Sequence, residues 1–233
     1  MTKVAVFVEG LTETELTVEL LISLCGRRGI AIDLHKQFGG TLHFLESRGA
    51  NGAALSALVA NCSTDGQVKT QILDRYTGLV AQGYTRIVGV RDVYPFLRGE
   101  IPALEAAKHV GLPAGPVPID LHYAEMEVEA WFLDEITHFE RIHAGLTVPR
   151  LVAAGFDVAK CYGHTWDHPA ATLNAIYQLE GRAWRKTGDH IRRTVQALCM
   201  ESLYTNARLR SASLSAFIGS LEAALFPPTL ATT

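Results

Sequence analysis

The chain has 233 residues, 48% hydrophobic and 19% charged, with a formal net charge of -3 and a pI of about 6.3. That balance excludes a disordered or fibrous chain, and a mildly acidic protein carries no global basic field of the kind that marks many nucleic-acid binders. No apolar run reaches the roughly 20 residues of a membrane span, so no membrane association is expected. The opening "MTKVAVFVEG" has one lysine and an early acid and lacks the long apolar core and cleavage site of a signal peptide, which makes the cytoplasm the expected location. Cys25, Cys62, Cys161 and Cys199 lie far apart with no CxxC pair. This argues against a zinc ribbon or a disulfide framework and for buried, reduced thiols.

In chain order, residues 3–8 form a β-branched run that predicts a strand, and Leu16, Leu20, Leu21 and Leu24 recur at helical spacing over 12–27. Thr12 and Glu15 have the spacing of a capping box, placing the helix start just after Gly10. Alternation returns in "IAIDLH" (30–35), completing a βαβ opening. The Gly- and Ser-rich stretch 39–66 reads weakly, as a loop followed by a short helix. Residues 66–82 predict a helix closed by Gly83, "TRIVGVRDVYP" (85–95) a third strand, 101–110 a helix ending at Gly111, and "AGPVPIDLHY" (114–123) a fourth strand. Pro116 and Pro118 place the start of that strand toward an edge or an irregular entry. From 125 onward the patterning is mainly helical, up to a short "PPTLATT" tail. The expected architecture is α/β, a mostly parallel sheet flanked by helices over 1–135, with a helical extension over 136–233 packed on it.

Acids gather where strands end. Glu9 ends the first strand and Asp92 the third, and the fourth runs into Glu125, Glu127 and Glu129. Ligands of open α/β sheets bind at the carboxyl ends of strands, and carboxylates converging there repel one another unless a cation neutralises them. A hard divalent ion, Mg²⁺ or Mn²⁺, suits oxygen ligands. Taken singly, each acid also has an ordinary explanation. Glu9, Glu13 and Glu15 sit where acids favour a helix N-terminus, and Asp92 has the chemistry of a cap before Pro95. Glu125 and Glu129 share a face if their segment is helical, whereas all three acids share one if the strand continues.

Basic residues cluster in "GRAWRKTGDHIRR" (181–193), five Arg or Lys in thirteen positions, with "NARLR" following. An acidic centre beside a basic flank suits a polyanion, although solvated helix faces have the same composition. "GANGAALS" lacks the Gly-Lys-Ser/Thr of a phosphate-binding loop, so ATP hydrolysis is not expected. "CYGHTWDHP" (161–169) has zinc-type donors but no familiar finger spacing, and reads as a loop before Pro169.

Three boxes carry a family resemblance. "VFVEGLTE" (6–13) resembles the first motif of the Toprim domain, the Mg²⁺-binding module of topoisomerases, bacterial primases and OLD-family nucleases. "RIVGVRDVYPF" (86–96) resembles its Asp-x-Asp motif, with Tyr94 where the second acid would fall. "HYAEMEVEAWFLDE" (122–135) is similar to the "YExEAWxLxD" box of a small, mostly uncharacterised Toprim-like branch discussed with phage-defence nucleases.

The resemblance implies metal-dependent hydrolysis of a nucleic-acid backbone, DNA or RNA, with Mg²⁺ or Mn²⁺ as cofactor. It implies Glu9 and Glu13 as catalytic residues and Glu9, Asp92, Glu127 and Glu129 as metal ligands. Gly10, Arg91, Lys186 and Arg192 are the phosphate-contact candidates, with Arg98 and Arg193 beside them. A homodimer is compatible with it, and the alternative reading is a non-catalytic or conditionally active subunit acting with a partner ATPase. A tyrosine nucleophile at Tyr94 or Tyr123 is not expected, since buried tyrosines commonly serve packing.

Overall fold

The computed structural model describes residues 2–64 and 66–227, so all but the first residue of the "PPTLATT" tail lies outside the described residues. Its elements in chain order are β1 (Thr2–Val8), α1 (Leu11–Cys25), β2 (Ala31–Phe38), β3 (Thr41–Gly49), β4 (Leu55–Asn61), α2 (Gln67–Ala81), β5 (Arg86–Asp92), α3 (Ile101–Ala107) and β6 (Ile119–Ala124). Short helices α4 (Glu129–Asp134), α5 (His138–Ile142) and α6 (Val148–Ala153) follow, then α7 (Pro169–Gln178), α8 (Gly188–Ala197), a helical segment over 200–210 and α9 (Ala212–Leu225).

The six strands form one sheet in the order β3-β2-β4-β1-β5-β6, parallel throughout except for the antiparallel pair β2/β3. Central β1 pairs with β4 and β5, and Val4 through Val8 are fully buried. A strand covered on both faces reads as a continuous apolar run, which is why "VAVFV" does not alternate. Val4, Val6 and Val8 enter the larger core with α1 and the helices that follow β6, whereas Ala5 and Phe7 enter a smaller one with α2. The C-terminal α9 lies against β6, β5 and β1, with Phe217 stacked on Trp131 at 5.6 Å. The "EAW" tryptophan is thus a core residue that fastens α4 to the last helix, and its indole N–H donates to Ser213 at 3.0 Å.

The structure corrects the reading of 39–66. That stretch holds two strands and, among its described residues, no helix. Apart from its half-buried Leu42 and Arg48, edge strand β3 is exposed, so the apolar alternation that identifies a half-buried strand is missing from its sequence. The strands read as third and fourth are therefore the fifth and sixth. β6 starts at Ile119, directly after Pro118, and forms the other sheet edge, where a residue without an N–H is tolerated. The thiols are all free, but only Cys25 and Cys62 are buried; Cys161 and Cys199 are half-buried.

Candidate metal centre

The carboxyl ends of β1, β5 and β6 lie side by side, because these strands are parallel neighbours in the order β1-β5-β6. At the end of β1 the extended Gly10 leads into α1, and its N–H donates to Glu13 Oε2 at 2.9 Å while the Thr14 hydroxyl donates to the Gly10 carbonyl at 2.6 Å. The helix start is therefore closed by Glu13 reaching back to Gly10. The expected Thr12/Glu15 box does not form. Glu15 is buried and pairs with Arg48 of β3 at 2.6 Å, a contact between residues 33 apart that no local pattern announces. Glu9 bridges strands, since its Oε2 accepts the backbone N–H of Asp92 at 3.0 Å.

Asp92 ends β5 with 3% of its surface exposed, and its Oδ1 accepts the N–H of Val128 at 2.8 Å. That bond holds the turn leaving β6. Within the turn Met126 adopts φ 61°, a left-handed backbone unusual for a residue with a side chain, and its carbonyl accepts from Tyr94 N–H at 2.8 Å. The segment is thus neither continued strand nor helix through 125–129. β6 stops at Ala124, the Met126 turn redirects the chain, and α4 begins at Glu129. Glu127 and Glu129 both approach Asp92 as a result, whereas Glu125 lines a separate cavity with His122 and Ser213.

Each of Asp92, Glu127 and Glu129 offers an oxygen within 4.8 Å of the other two. Among the described residues this is the group of metal-capable side chains that the fold assembles. Glu127 Oε2 also accepts the Ala170 N–H in the first turn of α7, at 2.8 Å. Glu129 is fully buried, and neither of its carboxylate oxygens has a hydrogen-bond donor. Into this cluster reaches Lys186, from the loop between α7 and α8. Its Nζ lies 3.5 Å from Asp92, 3.5 Å from Glu127 and 3.6 Å from Glu129. Beside it opens a cleft of about 210 Å³ lined by Glu9, Gly10, Thr12, Glu13 and Lys186.

The protonation equilibria reflect crowding of like charge in a dry place. Burial pushes Glu129 up to about 7; the Lys186 ammonium opposes this, and Glu127 and Glu13 add to it. Asp92 is raised well above the usual carboxylate range, first by burial and then by Glu13 and Glu129. Glu13 is raised by burial as well. Burial lowers the Lys186 ammonium's own pKa, but Glu129, Asp92, Glu127 and Glu13 more than reverse this and hold it charged. One ammonium thus faces more carboxylate than it can neutralise.

The other candidates are spread more widely. Arg91 lies on the opposite face of β5 from Asp92, as strand alternation requires, and its guanidinium sits 5.6 Å from the rings of Phe96 and Tyr123. The Gly10 amide is taken by Glu13 rather than offered to a phosphate. Arg98 brackets the loop after Cys161, donating to the carbonyls of His164 and Trp166 and to Asp167, so that loop serves as structure. Arg193 donates to the Ala183 carbonyl and packs over Tyr177. Arg192 is half exposed on α8 and pairs with Asp189 at 3.0 Å. Tyr94 is 46% exposed and packs edge-on against His168. Sequence reasoning placed Lys186 outside the cluster as a phosphate contact; its place among the acids follows from a loop 57 residues beyond Glu129, and no motif marks it.

Fold and site together define a mostly parallel α/β protein with a buried three-carboxylate cluster able to coordinate a divalent cation. The donor set fits a hard ion, because all three ligands are carboxylate oxygens and those of Glu129 lack a hydrogen-bond donor. Comparison of the chain with protein-family models, curated proteins and solved structures gave no match. No helix among the described residues is long and apolar enough to cross a membrane.

Proposed function

We propose that this chain is a Toprim-like, Mg²⁺- or Mn²⁺-dependent phosphodiesterase that hydrolyses a nucleic-acid backbone. The observation that carries the reading is the meeting of Asp92, Glu127 and Glu129 within 4.8 Å at the carboxyl edge of a parallel sheet. These residues would hold the divalent ion, which when bound polarises a phosphate and lowers the pKa of a coordinated water. Glu9 lies at the mouth of the same cleft, half exposed to solvent, in position to accept a proton from an attacking water. Glu13 shapes that mouth by holding the Gly10 amide. Arg182 and Arg185 are exposed on the Lys186 loop, with Arg192 beyond it, and supply positive charge for a polyanion beside the acidic centre.

The test is cleavage of single- and double-stranded DNA and of RNA with Mn²⁺. Asp92→Asn and Glu9→Ala are each expected to lower the rate by about 100-fold or more, the usual worth of a positioned acid-base group or ligand. A protein that loads Mn²⁺ yet cleaves none of these substrates would sink the proposal. A second reading, a subunit active only with a partner ATPase, is favoured by one observation: Lys186 already neutralises part of the cluster. Cleavage that appears only on addition of a partner would select it.

A further inference from the structure

We propose that Lys186 is a displaceable internal cation, occupying the charge centre of the Asp92–Glu127–Glu129 cluster in the metal-free chain and leaving it when a divalent ion enters. This rests on the reading of the cluster as a metal centre. It adds how that centre is loaded.

The geometry points to exchange rather than to a permanent ion pair. A strong charge-assisted hydrogen bond from nitrogen to carboxylate spans roughly 2.7–2.9 Å, whereas Nζ stands 3.5 to 3.6 Å from all three acids. The ammonium is held by their combined field and is bonded well to none of them. Glu129 shows the consequence. It is fully buried, yet both its oxygens lack a donor, so Lys186 supplies charge without satisfying the carboxylate. A hard divalent ion binds oxygen at about 2.0–2.6 Å and carries twice the charge. It would meet both needs. The ion and Nζ are like-charged and compete for the same oxygens, so the two cannot share the cluster.

The loop is built to let the lysine go. Trp184 anchors it, buried and with its backbone N–H donating to Asn174 Oδ1 at 2.9 Å, and α8 resumes at Gly188. Between these anchors residues 185–187 are exposed, and the Lys186 side chain keeps 47% of its surface in solvent. Rotation about its four side-chain bonds swings the ammonium outward without disturbing the core. The swing has a destination. Lys186 also lines the cleft with Glu9 and Thr12, so the displaced ammonium would stay beside the opening where a phosphodiester would lie.

Two measurements on the full chain test this with Mn²⁺ alone. Amine-reactive labelling read by mass spectrometry, on chelator-treated protein with and without Mn²⁺, is expected to show several-fold greater modification of Lys186 in the loaded state, with Lys36 and Lys160 unchanged. Calorimetric or spin-resonance titration is expected to show Lys186→Met binding Mn²⁺ at least tenfold more tightly than the native protein. If Mn²⁺ binds with unchanged Lys186 labelling, or Lys186→Met binds it no more tightly, the exchange is wrong while the metal centre stands. If neither protein binds Mn²⁺, both fall. The labelling needs no variant, so it decides the matter where Lys186→Met does not fold.

Discussion

Glu129→Gln puts the electrostatics of the cluster to a quantitative test in the metal-free protein. A carboxyl group raised from 4.5 to about 7 binds its proton more tightly in the folded state than in the unfolded one. Its contribution to stability is therefore fully present below pH 4.5 and is lost as pH rises through 7. At roughly 1.4 kcal/mol per pKa unit, about 2 kcal/mol of that loss falls between pH 5 and pH 7.5. Glutamine has nearly the same shape and no titration. The buried amide brings its own cost of about 1–3 kcal/mol if its donors stay unmet, but that cost is the same at both pH values and cancels in the difference. Urea unfolding of the two proteins with chelator present is the assay. The stability of Glu129→Gln relative to the native chain is expected to improve by about 2 kcal/mol from pH 5 to pH 7.5. If the variant instead loses ground as pH rises, the carboxylate is well paired by Lys186 and the cluster does not lack positive charge. Added Mn²⁺ should raise the melting temperature of the native protein and leave Glu129→Gln almost unmoved.

Other consequences can be checked by stability alone. Arg210 donates to Asp134 at 3.0 Å and to the carbonyls of Val158 and Cys161, tying α4 to the loop after α6, and the Asp134 side chain is fully buried. Arg210→Ala should cost about 3–5 kcal/mol in denaturant unfolding, because it strands a buried acid; a loss below about 1 kcal/mol would show the pair to be incidental. Gly163 packs so closely on α4 that an added Cβ would stand 1.8 Å from the Ala130 carbonyl oxygen. Gly163→Ala is therefore expected to lower the melting temperature by roughly 6–12 °C, corresponding to about 3 kcal/mol in a chain of this size, and an unchanged melting curve would mean that the loop shifts freely.

Much of this protein is written locally in its sequence. The apolar run of β1, the leucine spacing of α1, the prolines before β6 and the acids at the strand ends are short-range signals, and they suffice for a parallel α/β sheet with carboxylates along one edge. Exposed β3 escaped, since a strand with little burial on either face has no apolar alternation to display. The tertiary structure decided what the charges do. Glu15 reads as a first-turn acid but is spent on Arg48, Glu13 rather than Glu15 closes the helix start, and Arg91 is turned away by the alternation of the strand that carries Asp92. Lys186 is the clearest case. Its sequence neighbours describe a basic surface loop, and only the packing of that loop against α4 and β5 brings its ammonium among three buried acids. Residue type determines what a side chain is able to neutralise or bind. Which partner it meets depends on distances set by the whole chain, because electrostatic interactions fall with separation in space and take no account of separation in sequence.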